Sequence, residues 1–373
     1  MHILHLESGR HLYGGARQVL YLAGGLADQG LDNTLACPPG SAVAAAASAR
    51  GLQIREVPMR GDLDVGFVAR FSRLIDELSP DIVHVHSRRG ADTLGGLAAR
   101  RAGAPAVLTR RVDSLGLPFI SALKYQLYQK VIVISDTIYK QLNRAGVPPA
   151  KIHRVPSAID SAEWQVRWSR EQFLREFDLQ DSDVAAAVVA QLIPRKGHRY
   201  LLDALLKITT VSPGLRVICF GRGPLENSLR KAVARAGLEA VVRFAGYRDD
   251  LHAFLGHFQL LLHPAVREGL GLGLLESQAA GVPVVGFRVA GVEEAVEDGK
   301  TGLLAATRDS TALAAAIADL YDNPQRRDAM AVAGRDRIST EFSLDQMIHG
   351  NLNVYREILQ ARTAGGAIDR VSD

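Results

Sequence analysis

Cysteine is almost missing from this chain: Cys37 and Cys219 are the only two in 373 residues. Each closes an apolar run, which favours buried thiols in a reducing compartment over a disulfide framework or a thiolate metal site. Long apolar stretches are missing too. No uninterrupted run reaches the ~20 residues of a membrane-spanning helix, and the alanine-rich segment around Ser41–Ala49 is too short and too weakly apolar to serve. The start, Met1-His2-Ile3-Leu4-His5-Leu6, lacks the charged region and apolar core of a secretory signal. The chain is therefore expected in the cytoplasm, with at most peripheral contact with the anionic inner face of the membrane. Short repeats and low-complexity segments do not occur. With 47% hydrophobic and 23% charged residues, a disordered chain is excluded. The net charge of +4 is modest, and nucleic acid is not an expected partner. Residues 1–165 hold 19 Lys and Arg against 14 Asp and Glu, so the surplus lies in the first half. That half can attract an anionic lipid surface or a phosphorylated acceptor, although a mildly basic solvated face explains it equally well.

What is present is rhythm. Short apolar runs alternate with amphipathic segments, the pattern of βαβ units and parallel sheets. The first half places strands at Ile3–Glu7, Asn33–Cys37, Ile54–Pro58, Ile82–His86, Ala106–Thr109, Val131–Ser135 and Ile152–Pro156. The second repeats the pattern at Ala185–Gln191, Arg216–Gly221, Val241–Ala245, Leu260–His263, Val282–Phe287 and Gly302–Leu304. Such a length exceeds what one core usually supports. The reading is two doubly wound α/β domains, 1–165 and 166–342, joined through a linker in Asp160–Asp183. The closing helical segment, 343–373, is expected to pack back near the first domain. A ligand crevice is expected between the two halves.

The most informative stretch is Glu268-Gly269-Leu270-Gly271-Leu272-Gly273-Leu274-Leu275-Glu276, which joins an apolar strand to a helix. Its glycines let backbone approach a ligand and open the helix with free N–H groups. Glu276 lies about two helical turns beyond Glu268, so both carboxylates can face one crevice. Acidic acceptors flanking a glycine-rich helix start suit a ligand with hydroxyls and phosphate, such as a nucleotide-sugar. Most glutamates are simply solvated, but three glycines would weaken a helix start that served no purpose.

Other strand ends carry chemistry. Leu192-Ile193-Pro194-Arg195-Lys196-Gly197 places Lys196 at a helix start, a mobile cation suited to a diphosphate. Gly14 and Gly15 open a helix after the first strand and can offer N–H groups to phosphate. His84 and His86 alternate onto one side of a strand end, followed by Ser87-Arg88-Arg89. Zinc is not expected there, since nothing supplies a third and fourth ligand at ligand spacing. Phe220-Gly221-Arg222-Gly223-Pro224 and Gly246-Tyr247-Arg248-Asp249 end two later strands.

On these motifs the chain resembles the GT-B glycosyltransferases of glycosyltransferase family 4, over nearly its whole length and most strongly over 184–304. The resemblance implies two facing Rossmann-like domains with an interdomain cleft. It also implies a nucleoside diphosphate-sugar substrate, retention of anomeric configuration, and no bound metal or cofactor. Glu268 would contact hydroxyls of the transferred sugar, Glu276 the ribose, Lys196 the diphosphate and His86 the sugar. Gly14, Gly15, Arg195, Gly221, Gly223, Tyr247, Arg248, Gly269, Leu270, Gly271 and Leu272 would complete the donor site. Some positions depart from the family pattern: Ala265 for Ser, Leu270 for Phe, and Ala190-Gln191 for Gly-Arg, which leaves Arg195 or another residue to replace the missing arginine. Val289-Ala290-Gly291-Val292-Glu293-Glu294 resembles the family's Gly-Gly-x-Pro-Glu loop, with Ala290 and Glu293 as departures, and Pro156-Ser157-Ala158-Ile159-Asp160 resembles its Pro-Asn-Gly-Val-Asp.

The function so implied is sugar transfer to a hydroxyl of a glycan or lipid-linked acceptor, with lipopolysaccharide or envelope polysaccharide synthesis as the expected context. Arg10, Arg17, Arg88, Arg89, Arg110 and Arg111 are the candidates for a basic acceptor surface. Two other readings remain: a sugar-nucleotide epimerase of the same fold, and a non-catalytic nucleotide-sugar-binding scaffold.

Overall fold

The structure is a computed structural model that describes residues 1–86, 90–112 and 124–368. It divides into two units, Met1–Ala158 with Leu344–Asp373, and Ile159–Ser343. Among the described residues each unit is built on one all-parallel sheet, so the expected α/β class and doubly wound architecture hold.

In the first unit the strands are β1 (His2–Leu6), β2 (Asp32–Cys37), β3 (Gln53–Glu56), β4 (Ile82–Val85), β5 (Ala106–Arg110), β6 (Lys130–Val133) and β7 (Ile152–Arg154), in sheet order 3-2-1-4-5-6-7. The second unit contains β8 (Val184–Val189), β9 (Leu215–Phe220), β10 (Val242–Gly246), β11 (Leu260–His263), β12 (Val284–Phe287) and β13 (Gly302–Ala305), in order 10-9-8-11-12-13. Both sheets reverse their winding beside their first strand, between β1 and β4 and between β8 and β11. Outside the carboxyl ends of strands at such a reversal, open α/β sheets leave a crevice for ligands.

The intervening helices follow their apolar spacing. Gly66–Leu78 buries Phe67, Phe71, Leu74 and Ile75 on one face and stops at Ser79, whose φ of 43° breaks the turn. Gly14 and Gly15 open the helix Gly14–Asp28, as the sequence suggested. The long final helix, Leu344–Ile368, belongs to the first unit. It packs Met347, Ile348, Leu352 and Tyr355 against Tyr21, Leu22, Leu26 and the sheet residues Ile3, Ile82 and Val107. Among the described residues no helix is long and apolar enough to cross a membrane.

One expectation is corrected. Asp160–Asp183 is no free linker but the packed opening of the second unit. The Ile159 N–H donates to the Phe342 carbonyl at 2.8 Å, and Trp164 is buried. Trp168 lies 4.6 Å from Phe254 between ring centroids, beside the helix Arg170–Phe177. Residues 159–165 therefore group with the second unit rather than the first. A short 3-10 turn and a two-turn helix carry no sheet rhythm, so the charged composition hid an aromatic core. Cys37 and Cys219 are both buried free thiols at strand ends.

Candidate functional site

The loops at the reversal of the second sheet converge on Glu268. After β8 the chain makes a short turn, Pro194–Lys196, and Gly197 then caps the helix His198–Ile208. After β11 it runs through Pro264–Gly271 into the helix Leu272–Ala279. The two loops are joined by the Val266 N–H donating to the Arg195 carbonyl at 2.9 Å. Gly197 makes this approach possible: its φ is 71°, and a Cβ there would lie 1.8 Å from the Pro264 carbonyl oxygen. Gly291 serves the other side, where a Cβ would lie 2.4 Å from the Glu268 carbonyl oxygen. The segment read from sequence as a loop is instead the helix Ala290–Ala295, and its first turn fits directly behind the Glu268 backbone.

Lys196 Nζ donates to Glu268 Oε2. His263, the last residue of β11, brings Nε2 within 3.1 Å of the same oxygen. The Gly269 N–H donates to Oε1 at 3.2 Å, and Arg195 Nη1 stands 3.9 Å from Oε1. The Lys196 and Glu268 side chains are only 12% and 9% exposed, so the pair is largely withdrawn from water. Burial opposes ionisation of Glu268, but the hydrogen bond from His263 and the Lys196 charge outweigh it. The carboxyl is held well below its usual range. Burial lowers the pKa of His263, with the Lys196 charge acting the same way against the pull of Glu268. A neutral His263 donating through Nε2 fits both the distance and that shift.

His198, the first residue of its helix, is buried with neither ring nitrogen hydrogen-bonded among the described residues. Burial, then His263 and Lys196, bring its pKa down to about 4. Glu276 is half-buried in its helix beside the buried Ser277 and Gln278. Leu270 is buried, and Leu272 starts the helix. Gly221 and Gly223 lie against the backbone of Ala190 and Leu192, where a Cβ on either would meet a carbonyl oxygen at 2.0 and 2.4 Å. Tyr247 is exposed, with the Arg222 guanidinium 5.9 Å from its ring centroid. The Arg248 side chain is committed elsewhere, paired at 2.7 Å with both oxygens of Asp250 and at 2.6 Å with Glu176, over Trp168. Only its backbone is left for the role expected of it. Gln191 is exposed, and Arg195 is the nearby cation that reaches Glu268.

The first sheet carries a different cluster at its own reversal. His5 on β1 and His84 on β4 are register partners, and His86 follows β4. All three are buried. His86 Nε2 lies 3.0 Å from His5 Nδ1, while His84 bonds Tyr355 Oη and Thr109 Oγ1 at 2.6 Å each. Arg111 approaches His86 Nδ1 at 3.5 Å through both terminal nitrogens. A guanidinium only donates, so His86 Nδ1 accepts, its Nε2–H donates to His5 Nδ1, and His5 carries its proton on Nε2. That His5 Nε2 has no hydrogen-bond partner among the described residues. Burial lowers all three imidazoles, His5 to about 3, so they are neutral at pH 7.

The expectation that no third metal ligand exists near His84 and His86 is corrected by His5, whose nitrogen lies within 4.8 Å of theirs. The donor set still suits a cation poorly. Both nitrogens of His84 are already bonded, and Arg111 presents a positive charge to His86. Strand order brought His5 in, and no sequence spacing signals it.

The expected basic surface changes as well. Arg110 is buried at the end of β5, and Arg111 turns inward to His86 near Gly15. Arg10 is exposed and donates to the Pro39 carbonyl at 3.2 Å, while Arg17 donates to Tyr21 Oη at 3.0 Å. Arg88 and Arg89 lie outside the described residues.

Comparison with known proteins agrees with both units. The family described as Glycosyl transferases group 1 matches residues 169–337, and that described as Glycosyltransferase Family 4 matches residues 13–163. The chain is 29% identical over 283 residues to the GDP-mannose-dependent alpha-(1-6)-phosphatidylinositol monomannoside mannosyltransferase of Mycolicibacterium smegmatis, covering 72% of this chain and 74% of that protein. It is 22% identical over 306 residues to the N-acetyl-alpha-D-glucosaminyl L-malate synthase of Bacillus anthracis, covering 80% of each. Among solved structures, Anabaena Alr3699/HepE in complex with UDP and glucose has a TM-score of 0.84, at 19% identity over 96% of this chain and 100% of its own. That likeness is one of fold.

Proposed function

The chain belongs to the group 1, family 4-type glycosyltransferases of GT-B fold, enzymes that use nucleotide-sugar donors, and we propose that it is a metal-independent, retaining transferase acting on a glycan or lipid-linked hydroxyl. The observation that carries this reading is the convergence of Lys196, Arg195 and His263 on Glu268 at the reversal of the second sheet. Departure of a nucleoside diphosphate concentrates negative charge on its phosphate oxygens. A preorganised lysine and arginine stabilise that charge without a divalent ion. Glu268, ionised and fixed by three donors, is an acceptor for sugar hydroxyls and holds the ring in place. Retention follows if the acceptor attacks the face the diphosphate leaves, with a diphosphate oxygen taking its proton.

A cytoplasmic enzyme working at the inner membrane face on envelope glycans fits this reading.

Calorimetric titration of UDP, GDP, ADP and CMP into wild type and Lys196→Ala tests the donor site. One diphosphate should bind clearly and weaken in the variant. Binding indifferent to Lys196 would refute the phosphate assignment. Activity that survives chelation, and a product with the donor's anomeric configuration by NMR, are the expected results for mechanism.

A further inference from the structure

Lys196 and Glu268 are partners in the structure, yet the proposed reaction asks Lys196 to serve a diphosphate and Glu268 to serve a sugar. We infer that Glu268 discriminates the intact donor from the nucleoside diphosphate left after transfer, by competing with the diphosphate for Lys196. The inference rests on Lys196 being the diphosphate cation.

The argument is electrostatic. The Lys196–Glu268 pair is largely desolvated, so its attraction is little screened, and so is the repulsion between Glu268 and any anion brought to Lys196. A diphosphate arriving alone draws the ammonium away and leaves the carboxylate beside new negative charge. An intact donor brings hydroxyls that donate to Glu268 and replace the bond Lys196 gives up. The same carboxylate therefore costs the free diphosphate more than it costs the donor, which favours release of the by-product.

His263 makes the exchange workable. It donates to the same Oε2 from the buried end of β11. With the Gly269 N–H on Oε1, it keeps the carboxylate oriented while Lys196 shifts. Neither donor brings a charge that would compete for the phosphate.

The test uses the full chain and pyrophosphate, a probe that carries the diphosphate but neither base nor sugar. Its affinity is measured by calorimetry or phosphorus NMR for wild type, Glu268→Gln, Glu268→Asp and Lys196→Ala. Glu268→Gln keeps the shape and removes the charge, and should bind pyrophosphate about tenfold more tightly. The same variant should gain nothing toward the intact nucleotide-sugar. Glu268→Asp keeps the charge but withdraws it from Lys196, and its smaller gain decides the matter should the Gln variant fail to fold. Folded Glu268 variants that bind pyrophosphate no better than wild type, while Lys196→Ala loses it, overturn the inference and leave the diphosphate site intact. Pyrophosphate binding unchanged in Lys196→Ala removes the underlying reading instead.

Discussion

The two sheets reverse at equivalent places and fill those places with opposite chemistry. Beside β1 and β4 stand three neutral, buried imidazoles, His5 bonded to His86 and His84 to Tyr355 and Thr109. Beside β8 and β11 stand an ionised carboxylate, an ammonium and a guanidinium, with one histidine in support. Topology chooses where polar groups can collect, because at a reversal the connections leave two paired strands toward opposite faces of the sheet and open a crevice outside their carboxyl ends. Residue type decides what collects there. Burial keeps the imidazoles of the first cluster neutral. Burial with countercharge keeps the second one ionised and able to exchange partners.

The largest test of that contrast is Lys196→Ala. Loss of a preorganised cation at the leaving group should lower turnover by roughly 100- to 1000-fold, measured as kcat/KM for the nucleotide-sugar. A change under threefold would place both clusters in the same structural class. Tyr355→Phe probes the neutral side. It leaves His84 Nδ1 buried without its partner and should destabilise the first unit by about 1–3 kcal/mol in denaturant unfolding, while pyrophosphate affinity stays unchanged. Next comes Gly291→Ala, whose methyl would push on the Glu268 carbonyl and raise the donor KM about tenfold; unaltered kinetics would mean that the helix Ala290–Ala295 yields freely.

The smallest effect is on pH dependence. His5 falls from 6.5 to about 3 on folding. Its contribution is complete above pH 6.5 and is lost as pH drops toward 3, because over that window the unfolded chain takes up a proton the folded one refuses. Glu268, also lowered, loses its contribution only as pH falls below the unfolded value of 4.5. Replacing His5 with Phe should flatten the stability slope between pH 6.5 and 5. Glu268→Gln should leave that interval unaltered. Parallel slopes in wild type and His5→Phe would show that His5 adds nothing to the titration that His84, His86, His198 and His263 also feed.

Much of this is legible in the sequence. Strand positions followed apolar runs, and the helix Gly66–Leu78 followed its spacing, since both are periodic signals written over a few neighbouring residues. The segment 269–276 marked its own helix start through its glycines. The opening of the second unit is hidden in the sequence because Trp164 and Trp168 sit among charges, and Trp168 packs on Phe254, far along the chain. Arg110 and Arg111 looked like surface cations, because nothing local distinguishes an outward arginine from one turned inward to a histidine.

The sequence by itself determined two α/β units, the family, and the identities of Glu268 and Lys196 as residues of interest. Local periodicity and motif spacing carry that information. Only the tertiary structure decided that Lys196 and His263 share one oxygen of Glu268, and that His5 joins His84 and His86. The first sharing spans loops from two strands that are not consecutive, and the second joins register partners on β1 and β4. Such pairings follow from strand order, which is set by how helices cover the whole sheet and has no record in any short stretch of residues.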